Sequence, residues 1–442
     1  MVMDQAGLAP AKLSLETPEV PETVEQVGLH RAFLEGLALK LLYVSGPLTF
    51  RDLCARMRLT FPIVKELVRH LRHEMLCEVS GMTKGLPDLI ITSEGRARAT
   101  ELFSQNQYYG PTPVPLEAYV QMVRQQSVRQ AEIHPPDVRR AFTHLVLDAR
   151  ILRKLGTSLN SGASIFLYGP TGTGKTTIAT ALARVLARST VWIPYAVEVE
   201  GQIISVYDPH LHAKVDDPGT EAADGRWVLC ARPTVVVGGE LTIDMLELQL
   251  NQVTKFYAAP LQMKANNGLL IIDDFGRQRV QPTELLNRWV VPLDRGIDFL
   301  TLAGGKKVEI PFELFVVFAT NLEPSKLADA AFLRRIQTKV RIGPVTERQF
   351  HEIFRRVCAD ASLQCEESLV DEVIDIIRTK FNEPLRPCYP RDIVNQIVWA
   401  ARYEQMKPFL DRDSVRYAVD AYFVSEEQEH GPGRIDVRPL FF

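Results

Sequence analysis

The stretch "SIFLYGPTGTGKTT", residues 164 to 177, constrains this chain's fold more than any other. A short apolar run enters a glycine-rich turn that satisfies G-x-x-x-x-G-K-[ST], and "TTIATALARVLA" continues with the apolar spacing of a helix. A turn between a strand and a helix N-terminus gathers backbone N–H groups and the positive end of the helix dipole at one point, which makes a cradle for phosphate oxygens. Gly169, Pro170, Thr171, Gly172, Thr173, Gly174, Lys175, Thr176 and Thr177 form the candidate cradle. Its glycines let the backbone curl, Lys175 suits β- and γ-phosphates, and the Thr176 hydroxyl is a ligand for Mg²⁺. ATP with Mg²⁺ is the ligand chemistry this pattern implies.

A second apolar run, in "GLLIIDDFGRQ" (268–278), stops on two acids. Carboxylates at the edge of a core need a cation or donors to be tolerated. In enzymes with a phosphate loop, an acid at the end of a neighbouring strand holds Mg²⁺, and Asp273 takes that place. Asp274 then stands where an attacking water is oriented and polarised. Many such proteins carry a glutamate there. Aspartate is one methylene shorter, so either the water sits closer or hydrolysis is slow. Asp274 as the N-cap of a following helix is the competing structural role.

With 442 residues, 46% hydrophobic and 24% charged, the chain is long enough for two or three domains with their own cores. It contains no run of eighteen apolar residues, and its first 26 residues are acidic and proline-bearing, so the expectation is a cytoplasmic protein with no membrane span. Six cysteines without CxxC pairs suit reduced thiols. The net charge of −3 gives no global nucleic-acid signature.

Residues 1–28, acidic and rich in proline, read as a disordered tail. Residues 29–110 follow as three helices, with Thr49 and Thr60 as candidate caps, then a two-stranded wing and a further helix, a pattern that resembles a winged-helix domain. Residues 111–133, opened by a proline-punctuated stretch, are expected to be a linker. Residues 134–343 alternate strands and helices, with parallel strands expected at 164–168, 190–199, 268–273, 314–319 and 338–342. Residues 344–424 turn purely helical, and 425–442 read as a C-terminal tail.

Further features arrive in an order that resembles the AAA+ ATPases over residues 134 to 424. "FVVFATN" ends on Asn321, the family's polar sensor position; "ADAAFLRRI" is similar to the helix whose arginine reaches the neighbouring subunit's nucleotide, with Arg335 favoured over Arg334; "YPRDIVNQI" carries Arg391 where the second sensor arginine stands. "IDFLTL" and "KKVEIP" flank Ala303-Gly304-Gly305 as a hairpin before the sensor strand, and the long segment 200–267 sits where the helix-2-insert group carries an extra element. MoxR-like ATPases and bacterial enhancer-binding activators share that layout. The activators' GAFTGA sequence is absent here, and an N-terminal winged helix is not the usual MoxR arrangement. The resemblance implies a P-loop AAA+ parallel sheet with a C-terminal helical lid, a homo-hexamer, a site shared between subunits and an unknown protein client.

Two further signals compete with plainer roles. Asp208, His210 and His212 in "DPHLH" suggest a metal site or, more simply, a polar loop. Lys65, Arg69, His70, Arg72 and His73 form a basic cluster interrupted by Glu66 and Glu74, and residues 29–108 hold eleven Lys/Arg against eight Asp/Glu. DNA contact, protein docking and a solvated helix face are all compatible with that balance. The function expected first is ATP hydrolysis driving the remodelling of a client. A nucleotide-gated winged-helix DNA-binding regulator and a non-hydrolysing scaffold are the alternatives.

Overall fold

Five apolar strands lie side by side and parallel in the computed structural model, which describes residues 16–423 apart from 84–85, 163, 188, 218–219, 221 and 328–329. Their order across the sheet is Thr234–Val237, Leu269–Ile272, Phe315–Thr320, Ser164–Tyr168 and Thr338–Arg341. Period-two alternation divides them between two cores. Ile165, Leu167, Leu269, Ile271, Phe315 and Val317 face the helices Ala149–Ser161 and Lys175–Leu186. Phe166, Leu270, Ile272, Val316 and Phe318 pack with Phe275, Leu285 and Trp289 on the other side. Strands covered on both faces explain the near-continuous apolar runs.

The run 190–199, expected as one of the parallel strands, is not in this sheet. Thr190–Pro194 pairs antiparallel with Trp227–Ala231, and Ala196–Val199 turns through Glu200 (φ 52°) and Gly201 (φ 79°) into a hairpin with Gln202–Ser205. Pro194 lacks the N–H needed to continue a ladder, and a two-residue turn with both φ positive is the tight antiparallel connection. "TVVV" at 234–237 takes the place in the parallel sheet instead.

The hairpin belongs to a second sheet, ordered Gln249–Leu250, Tyr257–Ala258, Gln202–Ser205, Ala196–Val199 and Val114–Pro115. The segment 111–133 is therefore not a linker. Its helix Leu116–Gln125 buries Tyr119, Met122 and Val123, and the next residue, Gln126, acts as a surrogate strand. The Gln126 amide donates to the Trp192 carbonyl at 2.7 Å and its Oε1 accepts from the Trp192 N–H at 2.8 Å. The same amide donates to Asn267 Oδ1 at 3.1 Å, and Asn267 Nδ2 donates to the Val123 carbonyl at 2.7 Å. Arg232, 6% exposed, closes the knot by donating to the carbonyls of Gln126 and Asn267 at 2.9 and 2.6 Å and to Ser189 Oγ at 2.6 Å. Burial brings its pKa down to about 10, a measure of how dry the junction is.

The N-terminal unit consists of helices Arg31–Ser45, Phe50–Met57 and Phe61–His73, an antiparallel sheet of Leu48–Thr49, Leu86–Ile91 and Cys77–Thr83, and helix Ser93–Gln105. The first strand of that sheet was not foreseen. Thr49 forms a capping box with Asp52, whereas Thr60 at the next helix start makes no capping bond. Part of the expected tail is also ordered: Val24 and Val27 are buried in this unit's core, which extends to Ala196 and Ile203 of the second sheet. Residues 1–15 and the C-terminal tail 425–442 lie outside the described residues.

Arg226 fixes the seam, pairing with Asp224 at 2.8 Å and donating to the Val27 carbonyl at 2.8 Å, with the two side chains 6% and 2% exposed. Removing one partner of a buried pair strands a charge. Asp224→Ala is expected to lower unfolding free energy by about 3–5 kcal/mol in a urea titration, and a loss below about 1 kcal/mol would mean that water reaches the pair.

Beyond the parallel sheet, Ile297–Thr301 and Lys307–Pro311 form the expected hairpin. Helices Glu347–Asp360, Glu367–Thr379, Tyr389–Tyr403 and Arg412–Tyr422 share one core as a helical lid. No helix among the described residues is long and apolar enough to cross a membrane.

Candidate nucleotide site

At the carboxyl ends of the parallel strands, the 169–174 loop leads into the helix Lys175–Leu186, whose first N–H groups lack intrahelical partners. Gly169 cannot be replaced without distortion, since its φ is 142° and a Cβ there would lie 2.0 Å from the Ile342 carbonyl oxygen. Thr173 Oγ1 donates to the Pro170 carbonyl at 2.9 Å. Lys175 is 7% exposed and donates to the carbonyls of Gly169 and Pro170 at 2.9 and 2.8 Å. Burial pulls its pKa below the ordinary lysine value, while Asp274 and Asp273 nearby push it back up. A cation held between a phosphate loop and two carboxylates suits a polyanion.

The two acids occupy different chemical surroundings. Thr176 donates to Asp273 Oδ2 at 2.8 Å, so a hydroxyl and a carboxylate from distant parts of the chain meet at one point. Both are hard oxygen donors, and Mg²⁺ commonly takes one or two protein oxygens and completes its shell with water and substrate phosphate. The residues present therefore fit Mg²⁺. The backbone N–H of Asp274 donates to Asp273 Oδ1 at 3.0 Å, and Asp274 adopts φ 49°, a left-handed conformation that aspartate tolerates. It is not a helix cap, because the next helix starts at Pro282 with Gln281 as its N-cap.

Asn321 Nδ2 donates to Asp274 Oδ1 at 3.3 Å, so the sensor strand and the acid turn meet. That meeting is locked from behind. The Phe275 N–H donates to the Ala319 carbonyl at 2.7 Å, Thr320 Oγ1 donates to the Phe275 carbonyl at 2.6 Å, and Gln278 Nε2 donates to the Asp273 carbonyl at 2.9 Å. Sequence reading missed Gln278, which no spacing rule marks.

The arginines lie apart from this cluster of contacts. Arg335, at the end of helix Ala330–Arg335, donates to Asp294 Oδ2 at 2.7 Å, whereas Arg334 is exposed. Arg391, 68% exposed, pairs with its neighbour Asp392 at 3.3 Å. What does approach the loop from the lid is the segment 386–388, which also went unmarked in sequence: a Cβ on Gly172 would lie 2.6 Å from Cys388 Sγ and 3.5 Å from Arg386 Cδ.

The "DPHLH" segment is a structural clasp. His212, 1% exposed, accepts the Asp208 N–H at Nδ1 (2.9 Å), which leaves Nε2 to donate to the Lys264 carbonyl at 2.8 Å, and Asp208 pairs with Lys264 at 2.9 Å. Burial lowers the His212 pKa, keeping the ring neutral and suited to this donor–acceptor role.

Residues 147–290 match the model of the AAA ATPase domain, and residues 346–421 match a domain of unknown function (DUF8689). No curated protein matches the chain. Among solved structures, it is similar to the Thermotoga maritima RuvB Holliday junction branch migration motor at 14% identity, covering 62% of this chain and 70% of that one with a TM-score of 0.36. A point mutant of Thermotoga maritima RuvB matches at 14% identity over 67% of this chain and 72% of its own, TM-score 0.35. NtrX from Brucella abortus matches at 13% identity over 66% of this chain and 59% of its own, TM-score 0.41. Likeness at this level does not transfer function.

Proposed function

With residues 147–290 matching an AAA ATPase domain, we propose that the chain hydrolyses ATP to ADP and phosphate in an assembly of like subunits, and couples that hydrolysis to remodelling a protein or protein–DNA client. The observation that carries the reading is the hydrogen bond from Thr176 to Asp273 beside buried Lys175, next to a second contact between Asn321 and Asp274. One pair is suited to a metal-bound phosphate chain and the other to a water. Thr176 and Asp273 would hold Mg²⁺, whose chemistry there is to neutralise charge on the phosphates. Lys175 donates to phosphate oxygens, Asp274 accepts a proton from the attacking water, and Asn321 keeps that carboxylate oriented. Arg334, which is exposed, reaches outward more freely than Arg335, which must leave Asp294 to serve a neighbouring subunit. Arg391 closes over the nucleotide from the lid.

Asp274→Asn tests this assignment. The amide cannot take a proton, so turnover is expected to fall by about two to four decades with ATP binding retained. Unchanged single-turnover hydrolysis would remove Asp274 from the chemistry. A native chain that binds ATP but never turns it over would favour the scaffold reading. The binding-competent variant is also the bait for a client, because it holds ATP and client together.

A second reading has its own observation. The order of helices and strands in the N-terminal unit supports a winged helix, and the acids that interrupt its basic cluster are engaged elsewhere. Glu66 pairs with Arg31 at 3.1 Å and Glu35 takes His70 at 2.9 Å, while Lys65, Arg69 and Arg72 are exposed on the third helix. Duplex DNA binding that weakens steeply with salt, and that is lost on replacing these three, would favour a nucleotide-gated DNA-binding regulator.

A further inference from the structure

The lid touches the phosphate loop through one short turn, and that turn holds an arginine with an unused edge. Leu385 accepts the Val345 N–H at 2.9 Å, which ties the turn to the chain leaving the last parallel strand. Beyond it, Cys388 Sγ and Arg386 Cδ lie against Gly172. Arg386 Nη2 donates to Glu383 Oε2 at 2.7 Å, its guanidinium carbon sits 5.7 Å from the centre of the Tyr389 ring, and the Tyr389 hydroxyl donates to the same Glu383 oxygen at 3.4 Å. Its Nε is buried with no hydrogen-bond partner.

A buried guanidinium N–H without an acceptor is costly, and native structures rarely leave one without a reason. Here the fork is held at one corner by a carboxylate, supported on an aromatic face, and backed against a loop whose backbone suits phosphate. Arginine gives planar, two-edged recognition of phosphate that lysine cannot reproduce. Arg391 has no comparable support, being mostly exposed beside Asp392.

We propose that Arg386 is a nucleotide-contacting residue carried by the lid, its Nε edge donating to an oxygen of the phosphate chain while Glu383 holds the other edge. The proposal rests on the reading of residues 169–177 as a nucleotide site. It makes the 383–389 turn the part of the lid that senses occupancy of the loop. Cys388 sets the spacing at Gly172, and Glu383 sets the direction of the guanidinium.

The test is calorimetric titration of the full chain with ATP and with ADP, comparing native protein, Lys175→Ala, Arg386→Ala and Arg386→Lys, with nucleotide-free melting recorded for each. Arg386→Lys keeps an aliphatic stem against Gly172 and a cation for Glu383 but has no Nε–H. Both Arg386 variants are expected to bind ATP and ADP at least tenfold more weakly, and Arg386→Lys is expected to melt as the native chain does. Native affinity in Arg386→Lys overturns the proposal, as does a lowered nucleotide-free melting temperature with affinity unchanged, which would make Arg386 a strut. If Lys175→Ala also binds as the native chain does, the nucleotide-site reading itself fails. If Lys175→Ala loses binding and Arg386→Lys keeps it, only the lid arginine is refuted.

Discussion

Lys175→Ala is expected to bind ATP about a hundred- to ten-thousandfold more weakly than the native chain while remaining folded. The ammonium is the cation at the centre of the loop, buried and aimed at its carbonyls, and truncating one partner of a desolvated charged contact costs roughly 3–5 kcal/mol. The fold is expected to survive because Lys175 lies outside the apolar clusters on either face of the sheet, which Ile178, Leu182 and their neighbours build without it. Titration with ATP measures the loss, and an unchanged circular dichroism melt confirms the fold. Tight binding by the folded variant would place the nucleotide elsewhere.

The second large effect crosses a subunit boundary. An arginine that completes a neighbour's site stabilises charge developing on the transferred phosphoryl group, and such residues supply roughly three to five decades of rate. Arg334→Ala and Arg335→Ala are therefore measured separately, and the one that serves the neighbour is expected to lose that much turnover although its own phosphate loop is intact. Mixed with Lys175→Ala, also inactive alone, it is expected to regain some activity, since interfaces joining a sound loop to a sound arginine then form. Loss in Arg335→Ala alone means that the ion pair with Asp294 opens during the cycle. If neither variant loses turnover, the shared site is wrong and a monomeric ATPase or switch replaces it.

Much of this site is legible in sequence because its parts are local. The loop, the doubled acid and the "FVVFATN" strand each carry their signal within about ten residues, and parallel strands buried on both faces look the same wherever they occur. What sequence hides is pairing between distant segments. "TVWIPYAVEV" has the apolarity of a central strand, and only its partners at 227–231 and 202–205 show that it is two strands in two sheets. The proline-rich start of 111–133 imitates a linker, yet the side chain of Gln126 completes a backbone ladder, a role that no composition rule predicts. Arg386 likewise has no motif around it, and its interest lies in which side of the loop its turn covers.

The dry knot at Gln126, Asn267 and Arg232 makes the accessory layer a mechanical part of the motor. Asn267 stands one glycine ahead of the strand that ends in Asp273, and through Val123, Trp192 and Arg232 it is stitched to the helix and strands that bear the N-terminal unit. That unit is gripped a second time where Thr254 and Lys255 bond to Gln107 and Ser104. A force applied at residues 31–105 meets no slack hinge on the way: it arrives at the root of the acid strand as a displacement, and a change at that strand is felt outward along the same strut.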